Sequence, residues 1–290
     1  MIKRMNVKLI LLGFFIFLFI AIPLSFMVIQ SMHKTVVATE TPIIPTNIPP
    51  AGTAVKEFSM YASPTLQKSD IYNIYLIGDS MTHALGPRGG RFTEVISKAY
   101  PGAFFEVSNY AEAGQNIEMM EEHLYKVVTP AGDVTLKPVF DGDPQVIIIE
   151  SFGYNPLSQH GLEGGLKKQN EVLTHIMQKL TERFPNTVIF FMATIAPDRD
   201  TYGRKVLKSD SQGSRLQADE RIAYIKNHIK FAQDHNIPII DVYSESLDAQ
   251  GDGDTKYINP DDNIHPSAEG LELMSQVMTK RIQEENIFPQ

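Results

Sequence analysis

Ser80 stands where an apolar run ends. The stretch "IYNIYLIGDSMTHALG", residues 71–86, stops being apolar at Gly78-Asp79-Ser80, so its hydroxyl falls at the mouth of a strand. There it is either an ordinary helix cap or a nucleophile presented at the open end of a sheet. A serine hydroxyl attacks poorly unless an imidazole takes its proton, and the imidazole serves only when a third group fixes its tautomer and orientation. Far along the chain, "NPDDNIHPSAEG" holds Asp262 and His265, a spacing that lets the carboxylate reach back to Nδ1 within one turn. Two further loops offer donors to developing negative charge. "YAEAGQN" contains Gly114, which allows close backbone approach, and "SFGYNP" contains Gly153, Tyr154 and Asn155, the last a neutral amide. Taken singly, these are a cap, a surface pair and a turn residue before Pro156.

The elements that must bring them together are legible in the hydrophobic pattern. Short β-rich runs alternate with longer helical ones, the sequence sign of parallel strands joined by crossover helices. The strands are expected at 73–77, 104–109, 145–150, 187–195 and 238–243. Helical faces recur over 165–184, with Leu166, Leu173, Ile176, Met177 and Leu180, and over 219–235, with Ile222, Ile225, Ile229 and Ala232; a last helix spans 267–285. Runs such as "VIIIE" imply strands covered on both faces, hence a three-layer α/β/α sandwich with a central parallel five-stranded sheet. In such a sheet the loops at the carboxyl ends of the strands share one edge, where sites are built.

In this order and placement the residues resemble the SGNH hydrolases, also called the GDSL family. "IGDSMT" matches the first block, "AEAGQN" the second, "FGYN" the third loosely, and "DNIH" the Asp-x-x-His of the last. The resemblance covers about residues 74–270. It implies a flavodoxin-like SGNH fold and an esterase that needs no metal or cofactor. Ser80 would be the nucleophile, His265 the base and Asp262 its orienting acid. The oxyanion would be held by the N–H groups of Ser80 and Gly114 and the side-chain amide of Asn155. The third block departs from the fuller Gly-x-Asn-Asp form, because Pro156 follows Asn155.

Other polar features have two readings each. The loop 196–215 is a substrate-recognition lid, with Arg199, Tyr202 and Arg204 as contacts, or a solvated insertion. Asp79, Gly153 and Tyr154, beside the site, are further candidate substrate contacts. Glu150, ending an apolar strand, supports the site by hydrogen bonding or pairs with a nearby cation. "DAQGDGDTKY" from Asp248 has half the look of a calcium loop, but Asn259 stands at the twelfth position, so a hairpin turn on Asp-Gly is the better reading. His83 falls on the helix after Ser80.

Composition narrows the classes. The 290 residues contain no cysteine, which removes disulfides, thiolate metal sites and cysteine nucleophiles. Three of the 26 cations, Lys3, Arg4 and Lys8, precede residue 30, and all 34 acids follow it, so the remainder carries a net charge of -11. An acidic body argues against nucleic acid as a partner. Residues 9–29 form an uncharged apolar run long enough to span a bilayer, with the cations placing the N-terminus inside. A cleaved signal peptide, cut after Val36-Val37-Ala38, is the competing reading. Residues 1–30 are thus expected as cytoplasmic tip and anchor, 31–68 as an extracytoplasmic stalk rich in proline, and 69–290 as the hydrolase domain. The expected protein is a membrane-tethered serine esterase of a bacterial envelope that removes acetyl or other acyl groups from carbohydrate or envelope esters. An O-acyltransferase with the same triad and a catalytically silent binding module are the alternatives.

Overall fold

The computed structural model describes residues 58, 60–130 and 134–289. The proposed anchor at 9–29 and most of the stalk lie outside them. No helix among the described residues is long and apolar enough to cross a membrane.

Five parallel strands form one sheet in the order β2-β1-β3-β4-β5. They are β1 (Ile71–Ile77), β2 (Phe104–Asn109), β3 (Val146–Glu150), β4 (Val188–Ala193) and β5 (Ile239–Asp241). This is the doubly wound flavodoxin-like order, whose direction of winding reverses between β1 and β3. Register places Ile77 beside Ile149, so the ends of these two strands, Gly78 onward and Glu150 onward, emerge side by side at that switch point. The fold places chemistry there because neighbouring loops diverge and leave a crevice.

Strand alternation divides the core. Tyr72, Ile74 and Leu76 of β1, with Val146 and Ile148 of β3, face one layer; Tyr75, Ile77, Ile147 and Ile149 face the other. The first layer is filled from α2 (Gly90–Ala99), through Phe92 and Ile96, and from α7 (Ala268–Glu284), through Met274, Met278 and Ile282. The second is filled from α3 (Met120–Tyr125) and α4 (Gly161–Arg183), whose Leu173, Ile176, Met177 and Leu180 are the apolar face read from the sequence. Helix α5 (Ser211–Asp234) serves both, with Ile222 and Ile225 on one side and Phe231 and Ala232 on the other. It begins eight residues before the apolar pattern suggests, because Asp210 caps it by accepting the Gly213 N–H at 2.7 Å.

Other expected boundaries shift as well. The fifth strand is only three residues long, since Asp241 accepts the Ser244 N–H and turns the chain into the single-turn α6 (Val242–Glu245). Residues 60–68, counted as stalk by composition, belong to the folded domain. Tyr61 and Leu66 are buried, and the Tyr61 hydroxyl donates to Thr187 O and accepts from Ile189 N. The Asp248 segment forms the expected hairpin: Leu247 bridges Gly253, and the Asp248 carboxylate accepts the N–H groups of Gln250 and Asp252.

One buried histidine makes the fold acid-sensitive. His228 of α5 is wholly buried, stacks on Phe191 at 4.2 Å and donates through Nε2 to Ile149 O at 3.2 Å. Burial pulls its pKa down to about 3. The folded chain therefore holds it neutral while the unfolded chain protonates it below about 6.5, so its contribution is complete above that value and lost as the pH falls toward 3. From those two pKa values the loss is about 2 kcal/mol at pH 5. Urea unfolding at pH 7 and pH 5 is expected to show His228→Gln losing about 2 kcal/mol less than the wild type between them; equal losses would remove His228 as the cause.

Candidate active site

β1 gives way at Gly78, where no side chain fits: a Cβ there would lie 2.7 Å from the Glu150 Cβ and from the Thr82 hydroxyl. This close approach lets the chain turn straight into α1 (Ser80–His83). The cap of that turn is Asp79, whose carboxylate accepts the Met81 N–H at 2.9 Å. The serine's hydroxyl is thus not spent on capping, which removes the ordinary reading of Ser80. Ser80 is 9% exposed at the first helical position. With only one turn behind it, α1 contributes little helix dipole, and the Ser80 N–H itself is the useful donor.

The second block reaches the same place. Glu112 N donates to Gly78 O at 3.2 Å, and the Asn109 amide at the end of β2 donates to Thr82 O and Gly86 O, at 2.9 and 3.0 Å. Gly114 follows in an exposed turn with φ of 79°, a left-handed conformation that favours glycine.

The third block leaves β3 through Phe152, a buried non-glycine residue at φ 53°. A phenylalanine in the left-handed region costs on the order of 1 kcal/mol or more and persists only where its surroundings hold it. Here Ser151 O accepts from Gln169, Gly153 N donates to the Ser151 hydroxyl, and a Cβ on Gly153 would meet the Ile225 side chain at 2.5 Å. Gly153 is therefore a packing residue, and Tyr154, buried with its hydroxyl on Ile195 O, is a wall of the loop; neither is an open substrate contact. The sharp turn presents Asn155, whose Nδ2 donates to the Asp79 carboxylate at 3.1 Å. One amide N–H is thereby fixed, which sets the direction of the other.

Asp262 and His265 form the pair their spacing suggests. His265 Nδ1 lies 2.8 Å from Asp262 Oδ2, and Oδ1 accepts the N–H groups of Ile264 and His265 at 2.8 and 3.0 Å. Partial burial works to raise the Asp262 pKa, but the His265 ring and these two backbone donors outweigh it, and the carboxyl is held below its usual value. Asn263, at φ 59°, makes the tight turn between them. The turn is anchored to the neighbouring loop by Gly203 N donating to Asn263 O at 3.3 Å, and Tyr202 of that loop packs its ring 5.8 Å from Tyr154. Contacts thus run from the third block to the histidine loop. No hydrogen bond joins the His265 ring to the Ser80 hydroxyl among the described residues; this contact is often loose before substrate binds.

The loop 196–215 is more tightly built than a lid of free side chains. Arg199 is held by Asp219 and Asp252, at 2.6 and 3.2 Å. Tyr202 is buried, its hydroxyl accepting from Arg221 Nε at 3.0 Å. Of the three expected contacts only Arg204 is exposed, donating to the Ser211 hydroxyl. Sequence reasoning missed the role of Asp79. Its one signal was a carboxylate immediately before Ser80, which fits a cap as well as a substrate contact.

An amide aimed by Asp79 is a testable oxyanion donor. Asn155→Ala is expected to lower kcat about 100-fold with a small change in KM, the usual size for one such donor; steady-state kinetics on an aryl acetate measures it, and an unchanged kcat would remove Asn155 from the site.

Residues 76–273 match the family model described as GDSL-like lipase/acylhydrolase, a span from β1 into α7 that includes every block above. No curated protein sequence matches the chain. Solved structures share the fold at low identity. A Parabacteroides merdae protein assigned to the GDSL-like lipases superposes with TM-score 0.56 at 16% identity, covering 76% of this chain and 99% of its own. The lipase/acylhydrolase from Enterococcus faecalis gives 0.52 at 20%, covering 74% and 96%. A GDSL-like lipase from Bacteroides thetaiotaomicron gives 0.50 at 11%, covering 73% and 88%. The protein belongs to the GDSL-like lipase/acylhydrolase family and is a carboxylic ester hydrolase.

Proposed function

We propose that Ser80, His265 and Asp262 form the catalytic triad of an esterase that removes short acyl groups, acetyl foremost, from carbohydrate or other envelope esters outside the cell. The observation that carries the triad is the Asp262–His265 pair, in which one carboxylate oxygen is fixed by two backbone donors and the other takes Nδ1. That arrangement leaves Nε2 as the basic nitrogen. The Ser80 oxygen attacks the ester carbonyl carbon as its proton passes to Nε2. The carbonyl oxygen becomes an oxyanion met by the Ser80 and Gly114 N–H groups and the second Asn155 N–H. Collapse breaks the bond to the alkoxy group, which leaves with the proton from Nε2. Water, deprotonated by the same nitrogen, then cleaves the acyl-enzyme and restores Ser80.

Support for the extracellular setting comes from the sequence: an uncharged apolar run at 9–29 behind three cations, then four prolines within 38–52. A tethered domain suits a substrate that diffuses little, such as wall polysaccharide. The test is a product assay on acetylated glycans and on aryl esters of rising acyl length. Free acetate, with turnover falling as the acyl chain lengthens, is expected. Acetate transferred to a second glycan would make the chain an O-acyltransferase, and a preference for long acyl chains would contradict the substrate assignment.

A further inference from the structure

Beside Ser80, the proposed nucleophile, lie two carboxyls, and among the described residues no cation pairs with either. Asp79 and Glu150 are both wholly buried, they share a side-chain hydrogen bond, and Asp79 N donates to Glu150 Oε2 at 3.2 Å. Of the two readings of Glu150, the ion pair with a cation therefore fails and the hydrogen-bonding one stands; its other partner is the Ser151 hydroxyl, at 2.5 Å from Oε1. Two carboxylates in hydrogen-bond contact cannot both ionise in such a place, so the pair keeps one proton. The surroundings decide which. Asp79 receives Met81 N–H, Tyr154 N–H and the Asn155 amide, a set of donors that suits an anion. Glu150 faces the Asp79 charge with fewer donors, and burial followed by that charge pushes its pKa well above the usual range. The proton belongs to Glu150.

We propose that Glu150 is a positioning residue for ester hydrolysis: as a neutral acid it donates a hydrogen bond to the Asp79 carboxylate, which in turn holds the Asn155 amide aimed at the oxyanion. Its backbone and side chain are fixed by the sheet and by the helices on one side of it. Its strand partner is Met192 of β4, its Cβ is against Gly78, and the following residue is tied by Gln169 of α4, itself bonded to Asn227 of α5. Rigid support of this kind keeps a donor within the few tenths of an ångström that transition-state stabilisation demands. Glu150 touches no substrate atom and acts only through Asp79 and Asn155.

The inference rests on the ester-hydrolase roles of Ser80 and Asn155, and the experiment separates the two. Full-length wild type, Glu150→Gln, Glu150→Leu, Asn155→Ala and the Glu150→Leu/Asn155→Ala double variant are compared on an aryl acetate, with thermal unfolding as the control for folding. The glutamine amide can donate to Asp79 and accept from Asp79 N, so Glu150→Gln is expected to keep kcat within about threefold. Glu150→Leu is expected to lose on the order of 30- to 100-fold in kcat with KM nearly unchanged, and to add almost nothing to the loss in the Asn155→Ala background, because both act on one donor. A folded Glu150→Gln that loses as much as Glu150→Leu overturns the neutral-donor role, as does a loss that adds fully in the double variant. Should Glu150→Leu fail to fold, the glutamine variant alone decides. Turnover persisting in Ser80→Ala would instead overturn the underlying site, whatever the Glu150 variants do.

Discussion

Ser80→Ala is expected to lower ester turnover at least about 1000-fold without unfolding the chain, the scale set by removal of a triad nucleophile. The expectation of intact folding has a structural basis. Asp79, not Ser80, caps α1, so deleting the hydroxyl removes no hydrogen bond that holds the turn. A residual rate is also expected, because the proposed oxyanion donors, the Ser80 and Gly114 N–H groups and the Asn155 amide, survive the change. Initial rates on an aryl acetate, with substrate KM close to the wild type, check the first point. Thermal unfolding within a few degrees of the wild type checks the second. Wild-type turnover in this variant would show that the hydroxyl reads as chemistry only by its position.

Asp262→Asn is expected to cost on the order of 1000- to 10,000-fold in kcat, as loss of the orienting acid does in serine hydrolases of unrelated fold. The reason lies in both oxygens of this carboxylate. Oδ1 accepts from two backbone N–H groups and Oδ2 takes the ring Nδ1. An asparagine that keeps its oxygen on the two backbone donors must turn its NH2 toward Nδ1. That favours the tautomer with the proton on Nε2, the nitrogen that must be bare to accept the serine proton. The loop geometry is kept while the imidazole is set wrongly, so kcat falls and KM holds. The charge matters as well, since in the proposed triad the ionised Asp262 would stabilise the imidazolium formed at each proton transfer. A variant with a kcat loss below about tenfold would show that His265 does not depend on this partner.

The strands and the site blocks were legible because both depend on local sequence. The fully buried β3 and β4 read as continuous apolar runs, and the turn residues that follow them are the ones that can cap, bend or approach closely. The Asp262–His265 pair is likewise local, within one turn. What escaped depends on partners distant in sequence. Helix α2 buries only Phe92 and Ile96, too faint a stripe to announce itself. Tyr61 joins the domain through hydrogen bonds to Thr187 and Ile189, more than a hundred residues away. Tyr202 sits in a polar loop that suggests solvent, but Tyr154 and Arg221 enclose it. Glu150 meets Asp79 only because the ends of β1 and β3 emerge side by side. A carboxylate at the end of an apolar strand was visible; that its partner would be a second carboxylate was a property of the sheet.

The placement of chemistry at the β1/β3 switch point also explains why so much support converges on a few atoms. The three loops that leave β1, β2 and β3 are stitched to one another by Glu112 to Gly78, Asn109 to Thr82 and Asn155 to Asp79. The histidine loop is joined to the third of them indirectly, through Asn263 and Gly203 and the packing of Tyr202 on Tyr154. Three loops are thus fixed to the residues that flank Ser80, and the proposed nucleophile sits where their bonds converge.

The most direct measurement is covalent capture. Full-length protein treated with a fluorophosphonate and mapped by peptide mass spectrometry is expected to carry one adduct, on Ser80, whose formation slows at least about 100-fold in His265→Ala. An adduct on a different serine, or labelling of Ser80 at the same rate with and without the imidazole, would contradict it.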